Sequence, residues 1–318
     1  MDLELGEDEA ALQEGLRAFL SGRFPMEVVR ASAAGLDRGR WQELADTGVF
    51  GLRQPEDRGG VGLGVTEAVL AFEELGRALV PGPVLATHLA AGLVDGAADG
   101  TTVVGLVERP AVVTLVEHLD ALDVLLAIDT EGIWTIDLDG LDAEPVARPL
   151  DPLTPLHRVA ELPQGELLAP EDVAGEWAQV GAALTAGTLL GIAARTTEVA
   201  VAYAKEREQF GKPIGSFQAV KHLCADMLTR AELARGIVYA AAVTMDGRGV
   251  DDPARLLHAA KIAAGDAAKA NGKSCIQVHG GMGFTHEVDA HLYFKRSVLL
   301  DTWFGSVDDH AEAVAEAL

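Results

Sequence analysis

Cysteine is nearly absent from this 318-residue chain, which has only Cys224 and Cys275. They form neither a Cys-x-x-Cys pair nor a Cys/His zinc spacing, so no disulfide framework or zinc module is expected, and a reducing cytoplasm suits the chain. Aromatic residues are also few, at 5%, which argues against a sandwich filled by large rings. The abundance of Ala and Gly favours helices packed through small side chains. Basic charge is short as well: 25 Lys and Arg against 49 Asp and Glu give a net charge of -24. Such a chain repels polyanions, so neither nucleic acid nor an anionic membrane surface is an expected partner. An anionic ligand would have to meet a local cation or a helix terminus, and Arg207, Lys212 and Lys221 are candidates. The acidic start MDLELGEDE lacks the basic region and apolar core of an export signal. The uncharged run from Trp177 to Ala194 is rich in Ala, Gly and Thr and lacks basic flanks, so a buried helix is expected there rather than a membrane span.

Hydrophobic periodicity then divides the chain. Apolar residues recur at helical spacing over Asp8–Leu20, Gly39–Gly48, Thr66–Leu79 and Val84–Val94, with Thr66 as an expected N-cap. Between Thr101 and Leu162 the pattern changes to short β-branched runs, TVVGLV, AVVTLVEHL, VLLAI, GIWTIDL and HRVAEL, which predict a small antiparallel sheet or partial barrel. Long helices return over Val173–Arg207, Phe217–Met245, Pro253–Val278 and about Val288–Leu318, the third opened by Asp252-Pro253. The expected organisation is mainly α with a small β domain: an N-terminal helical domain over 1–100, a shortened middle β domain over 101–170 and a C-terminal four-helix bundle over 171–318.

Two blocks in the last region carry chemistry. Arg207-Glu208-Gln209-Phe210-Gly211-Lys212-Pro213, continuing to Gln218, offers a planar guanidinium fork suited to a pyrophosphate, beside a ring and a glycine. Taken alone, Arg207 reads more often as a surface ion-pair residue among Lys205, Glu206 and Glu208, so its assignment rests on the combined pattern. Gln277-Val278-His279-Gly280-Gly281-Met282-Gly283 closes a helix where glycines let backbone N–H groups approach a ligand, although a plain helix C-cap uses the same residues. No strand precedes it, which argues against a Rossmann phosphate loop. His279, His286 and His291 match no metal-ligand spacing.

The order helices, sheet, bundle, together with these blocks and with PEDRGGVG at Pro55–Gly62 followed by FEELGR at Phe72–Arg77, resembles the acyl-CoA dehydrogenase family over nearly the whole chain. The resemblance implies FAD as cofactor, with Arg207, Gln209, Phe210, Gln218, Gln277, Gly280 and Gly281 at the adenine and pyrophosphate end of a flavin held mainly by a neighbouring subunit. It also exposes departures. The family's Thr-Glu-Pro and Gly-Ser run early in the sheet is missing, as is its Trp-Ile-Thr or Trp-Ile-Ser flavin wall; Trp134-Thr135 reads as strand. Family dehydrogenation needs a carboxylate to take the α-proton while the β-hydrogen leaves as hydride to flavin. Counting from Arg296, the usual Glu position falls on Gly305 within Trp303-Phe304-Gly305-Ser306-Val307, and the alternative position falls near Gly181. No catalytic residue is therefore assigned; Asp301, Asp308, Asp309 and Glu287 are expected to be helix-face acids.

The resemblance is specifically to the short, non-catalytic subunits of actinobacterial α2β2 steroid-CoA dehydrogenases. It implies a catalytic partner subunit that supplies the Glu and the flavin cradle, an acyl-CoA substrate, an electron-transfer acceptor and a cytoplasmic setting. A homomeric flavoenzyme with an unrecognised base, and a cofactor-free scaffold subunit, remain the competing readings.

Overall fold

In the computed structural model, residues 5–110, 113–249 and 251–316 are described. Among these residues five α-helices come first: α1 (Glu7–Arg23), α2 (Met26–Ala31), α3 (Arg38–Ala45), α4 (Val65–Arg77) and α5 (Val84–Ala90). Seven strands follow: β1 (Val104–Glu108), β2 (Thr114–Glu117), β3 (Val124–Asp129), β4 (Gly132–Ile136), β5 (Ala143–Pro145), β6 (Leu156–Val159) and β7 (Glu166–Pro170). The rest is helical apart from one small hairpin: α6 (Glu171–Glu206), β8 (Glu208–Gln209), β9 (Lys212–Pro213), α7 (Gln218–Met245), α8 (Pro253–His279), α9 (Ala290–Leu300) and α10 (Val307–Glu316). The chain forms two compact units, one containing Val69–Leu79 and Ala182 onward with the chain up to Arg17, the other Ala18–Ala68 and Val80–Gly181.

Several local expectations shift. Helix α4 begins at Val65, so Thr66 lies in its first turn, not at its cap; Glu67 instead reaches back to the Gly64 N–H at 2.8 Å. Strands β1 to β7 form two sheets, ordered β1-β3-β4-β7 and β2-β6-β5. Every pairing among them is antiparallel except β1 with β3, which run parallel because β2 leaves for the second sheet. Trp134-Thr135 lies within β4. The expected last helix is two, α9 and α10, separated by a turn in which Phe304 and Gly305 both take positive φ, 52° and 95°.

In the unit that contains α7 and α8, packing rests on small residues. A Cβ at Gly76 would overlap the Thr188 carbonyl, and one at Gly191 would overlap that of Glu73, so α4 and α6 meet at a distance only glycine permits. The same approach buries two adjacent acids of α4, each 1% exposed. Buried carboxylates need partners. Glu73 is met by Arg235 at 2.5 Å and by the Tyr239 hydroxyl at 2.7 Å, and Glu74 by Arg17 through two bonds of 2.8 and 2.6 Å. Helix α6 is long and apolar enough to pass for a span, yet 83% of its most apolar window is buried inside the protein. At α8, Asp252 accepts the Ala254 N–H at 3.0 Å, with Pro253 at the first helical position.

Candidate functional site

The end of α6, the hairpin after it, the start of α7 and the end of α8 supply all seven candidate ligand residues, and all seven are exposed. Beneath them lies one apolar cluster containing Ala200, Ala204, Met227, Cys275 and Ile276, with Tyr203, Ile214 and Val220 packed against it. Burial in this cluster pushes the Cys275 thiol up to about 12, so it behaves as a small hydrophobe.

Arg207 is fixed through its backbone on both sides. Its N–H donates to Tyr203 O at 2.9 Å, and its carbonyl accepts from Ile214 at 2.8 Å. Its guanidinium makes no ion pair among the described residues, despite Glu206 and Glu208 beside it. The ion-pair alternative for Arg207 is thus not realised in this conformation. The two-residue strands β8 and β9 then turn through Phe210 and Gly211, both at positive φ, 54° and 76°. A left-handed Phe is strained, and this residue is 91% exposed. The Phe210 and Phe217 rings stand nearly perpendicular with centroids 6.1 Å apart, while Lys212 Nζ sits 4.4 Å from the centre of the Phe217 ring. The Gln209 amide nitrogen donates to Glu208 O at 2.8 Å, and Gln218 opens α7.

On the other side, Gln277 lies in the last turn of α8, and Gly280 follows at φ 61°. A Cβ at Gly280 or Gly281 would meet nothing within 4 Å, whereas one at Gly283 would collide with Ile276. The first two glycines therefore leave open backbone at the surface and the third packs the turn. Tyr203 links the sides. Its ring stacks on His279 at 4.1 Å between centroids and 25° between planes, and its hydroxyl lies 4.0 Å from the Met282 sulfur. The sequence reading missed this pair. Its signal was Tyr203 one helical turn before Arg207 and His279 immediately before Gly280.

The turn between α9 and α10 is built differently. Lys261 of α8 is fully buried and donates to the carbonyls of Asp301 at 3.0 Å and Gly305 at 2.9 Å. His310 Nε2 contacts Phe304 O at 3.0 Å and its Nδ1 contacts His258 Nδ1 at 2.7 Å. A carbonyl only accepts, so neutral His310 carries its proton on Nε2 and receives the His258 Nδ1–H. Burial, with Lys261 and His258 nearby, pushes His310 down to about 4. Of the four acids considered as substitutes, Asp301 is bound by Lys269 at 2.7 Å. Asp309 caps α10 by accepting the Ser306 N–H and hydroxyl at 2.8 and 2.7 Å. Asp308 and Glu287 are exposed. His286 and His291 meet edge to face at 5.5 Å, and among the described residues no three His, Cys, Asp or Glu side chains converge on a metal-sized site.

Similarity to other proteins follows the same lines. Residues 6–99 match the acyl-CoA dehydrogenase N-terminal domain and residues 172–318 the acyl-CoA dehydrogenase C-terminal domain. Acyl-CoA dehydrogenase IpdE2 of Mycolicibacterium smegmatis is 33% identical over 306 residues, covering 92% of this chain and 93% of the relative. Acyl-CoA dehydrogenase FadE34 of Mycobacterium tuberculosis is 38% identical over 326 residues, covering 92% of this chain; the chain spans only 45% of FadE34. Among solved structures, a chain of the ChsE4-ChsE5 complex of Mycobacterium tuberculosis shares the fold with a TM-score of 0.82 at 22% identity, covering 99% of this chain and 98% of that one. With both family domains matched and a relative aligned along nearly its whole length, this chain belongs to the acyl-CoA dehydrogenase family.

Proposed function

We propose that this chain is the non-catalytic subunit of a heteromeric FAD-dependent acyl-CoA dehydrogenase, contributing the adenine and pyrophosphate half of a flavin site. The observation that carries this reading is the contrast within one unit: exposed Arg207, without an ion pair among the described residues, and open glycine backbone at Gly280 and Gly281, against a Gly305 turn whose residues 302–306 include no acid. The residues present fit the group. Arg207 is a charge-assisted donor for phosphate oxygen, Gly280 and Gly281 admit close backbone approach, Phe210 offers a ring face, and Gln209, Gln218 and Gln277 carry amides that hydrogen-bond at the surface. FAD, when bound, accepts the hydride from the β-carbon of an acyl-CoA, and the family resemblance points to a steroid side-chain CoA. The α-proton is assigned to a Glu of the partner subunit, which also carries the flavin cradle. In FadE34 the matching stretch is less than half of one long chain, the arrangement a fusion of this half to a second dehydrogenase half would give. The complex is an α2β2 assembly acting in the cytoplasm and passing electrons to a separate acceptor.

The test is to titrate FAD into the apo complex carrying Arg207→Ala, and to assay Asp301→Asn at saturating FAD. Loss of one charge-assisted contact is worth on the order of 1.5–3 kcal/mol, so FAD affinity should fall roughly tenfold to more than a hundredfold. Asp301→Asn should turn over nearly normally. Unchanged affinity in Arg207→Ala defeats the cofactor assignment; an inactive Asp301→Asn that still binds FAD and substrate defeats the non-catalytic one. The homomeric alternative turns on Asp301, whose Oδ1 is buried without a hydrogen-bond partner, but its other oxygen is held by Lys269.

A further inference from the structure

From the contacts of Tyr203 we infer that Tyr203 and His279 are positioning residues, a brace that sets the separation between Arg207 and the Gly280-Gly281 backbone and so determines FAD affinity without touching the cofactor. The inference rests on the flavin-site reading above. Arg207 follows one helix and Gly280 another, so nothing in the chain connectivity fixes the distance between them. A ligand that contacts both gains full affinity only if the two are held at its own spacing before it binds.

The structure contains a continuous path of contacts between the two. The Arg207 N–H is bonded to the carbonyl of Tyr203. The Tyr203 ring is stacked on His279, the residue directly before Gly280, and its hydroxyl touches the sulfur of Met282, the residue directly after Gly281. One side chain thus grips both flanks of the glycine pair. The His279 ring is itself held, since Nδ1 lies 2.8 Å from Cys275 O. The carbonyl can only accept, so Nδ1 carries the proton and the ring plane is fixed relative to α8. Two close approaches stiffen the surroundings: Gly283 leaves no room for a Cβ against Ile276, and a Cβ at Gly215 would lie 2.8 Å from Ala204 O, one residue beyond Tyr203. The stack sits over the apolar cluster, where Ala200, Ala204 and Cys275 are buried and chemically inert. Both rings are aromatic and flat, which is what a spacer needs; an aliphatic pair would fill the volume without fixing the angle.

The experiment is a double-mutant cycle on FAD affinity in the complex with the flavin-bearing partner, read by quenching of flavin fluorescence as FAD is titrated into apo protein. Tyr203→Ala should weaken binding about tenfold, and Tyr203→Phe, which keeps the ring stack, should restore it to within about threefold of the native complex. In an Arg207→Ala background, Tyr203→Ala should have at most a twofold effect, because a brace acts only through the contact it places. A residue that merely stabilises the fold would give equal effects in both backgrounds, and that result overturns the inference. If Tyr203→Ala yields too little folded complex, His279→Ala tests the same stack from its other side, with His279→Phe as the conservative rescue. If Arg207→Ala itself leaves affinity unchanged, the flavin-site reading has failed; if Arg207→Ala weakens binding and neither Tyr203→Ala nor His279→Ala does, only the brace has.

Discussion

The surface formed by the Arg207 hairpin and the Gly280 turn, and the turn between α9 and α10, lie in the same unit and use opposite designs. The first leaves its polar and aromatic groups outward: Phe210 is strained and almost wholly exposed, and Arg207 is without an ion pair among the described residues. The second directs its polar groups inward, with Lys261 and His310 consumed in holding main-chain carbonyls. Backbone strain clusters at ligand-binding sites, whereas a satisfied buried network specifies one conformation. Under the proposed function, the first is the surface that a ligand completes, and the second, where the family resemblance would put the base, is structure.

The contrast is most sharply broken at Lys261. Replacing this fully buried lysine with Met leaves the carbonyls of Asp301 and Gly305 without their donor and should cost about 3 kcal/mol, read as a lower denaturant midpoint. FAD affinity of the folded complex should remain native; a large loss of affinity with no loss of stability would mean that the turn is part of the ligand site.

Acid should act on structure before it acts on the exposed surface. Burial holds His88 down at about 4 from an ordinary 6.5, its Nδ1 bonded to Val49 O at 2.9 Å, and His310 is held near the same value. Between those values the unfolded chain binds protons that the folded chain does not, so stability is full above about pH 6.5 and falls as pH drops toward 4. His88 alone accounts for about 2 kcal/mol lost by pH 5. Urea melts at pH 7 and pH 5 should show the drop, and His88→Gln should shrink it. A stability that is flat over this range would contradict the buried, neutral assignments.

The smallest expected effect is at the hairpin tip. Phe210→Asn places a residue that tolerates positive φ where Phe is strained, so stability should stay level or rise by up to about 1 kcal/mol while FAD binding weakens. A fall in stability of comparable size would assign the ring to the fold instead of to a ligand or partner.

How much of this was legible depends on whether the cause was local. The limits of α6, α7 and α8 were read to within two residues because periodicity and the Asp252-Pro253 cap are local signals. The break at 301–306 was not, because Lys261, some forty residues earlier, holds it, and such tertiary anchoring overrides propensity. Helix α2 and strand β5 are too short, at six and three residues, to show a period. The parallel pairing of β1 with β3 follows from the excursion of β2 into another sheet, which no stretch of sequence displays. At the candidate site, the motif residues were visible one by one, while the Tyr203–His279 stack between them was not, since it joins helices 76 positions apart.

The central claim is that this chain holds part of a flavin site and needs a partner for the rest. It is tested most directly by the visible absorption of the chain purified alone and after co-expression with its dehydrogenase partner, with flavin counted against each polypeptide. The account predicts a chain that alone is colourless, insoluble or inactive, and a yellow α2β2 complex with two FAD per four chains. A soluble homo-oligomer carrying one FAD per chain, or four FAD in the heterotetramer, would contradict it.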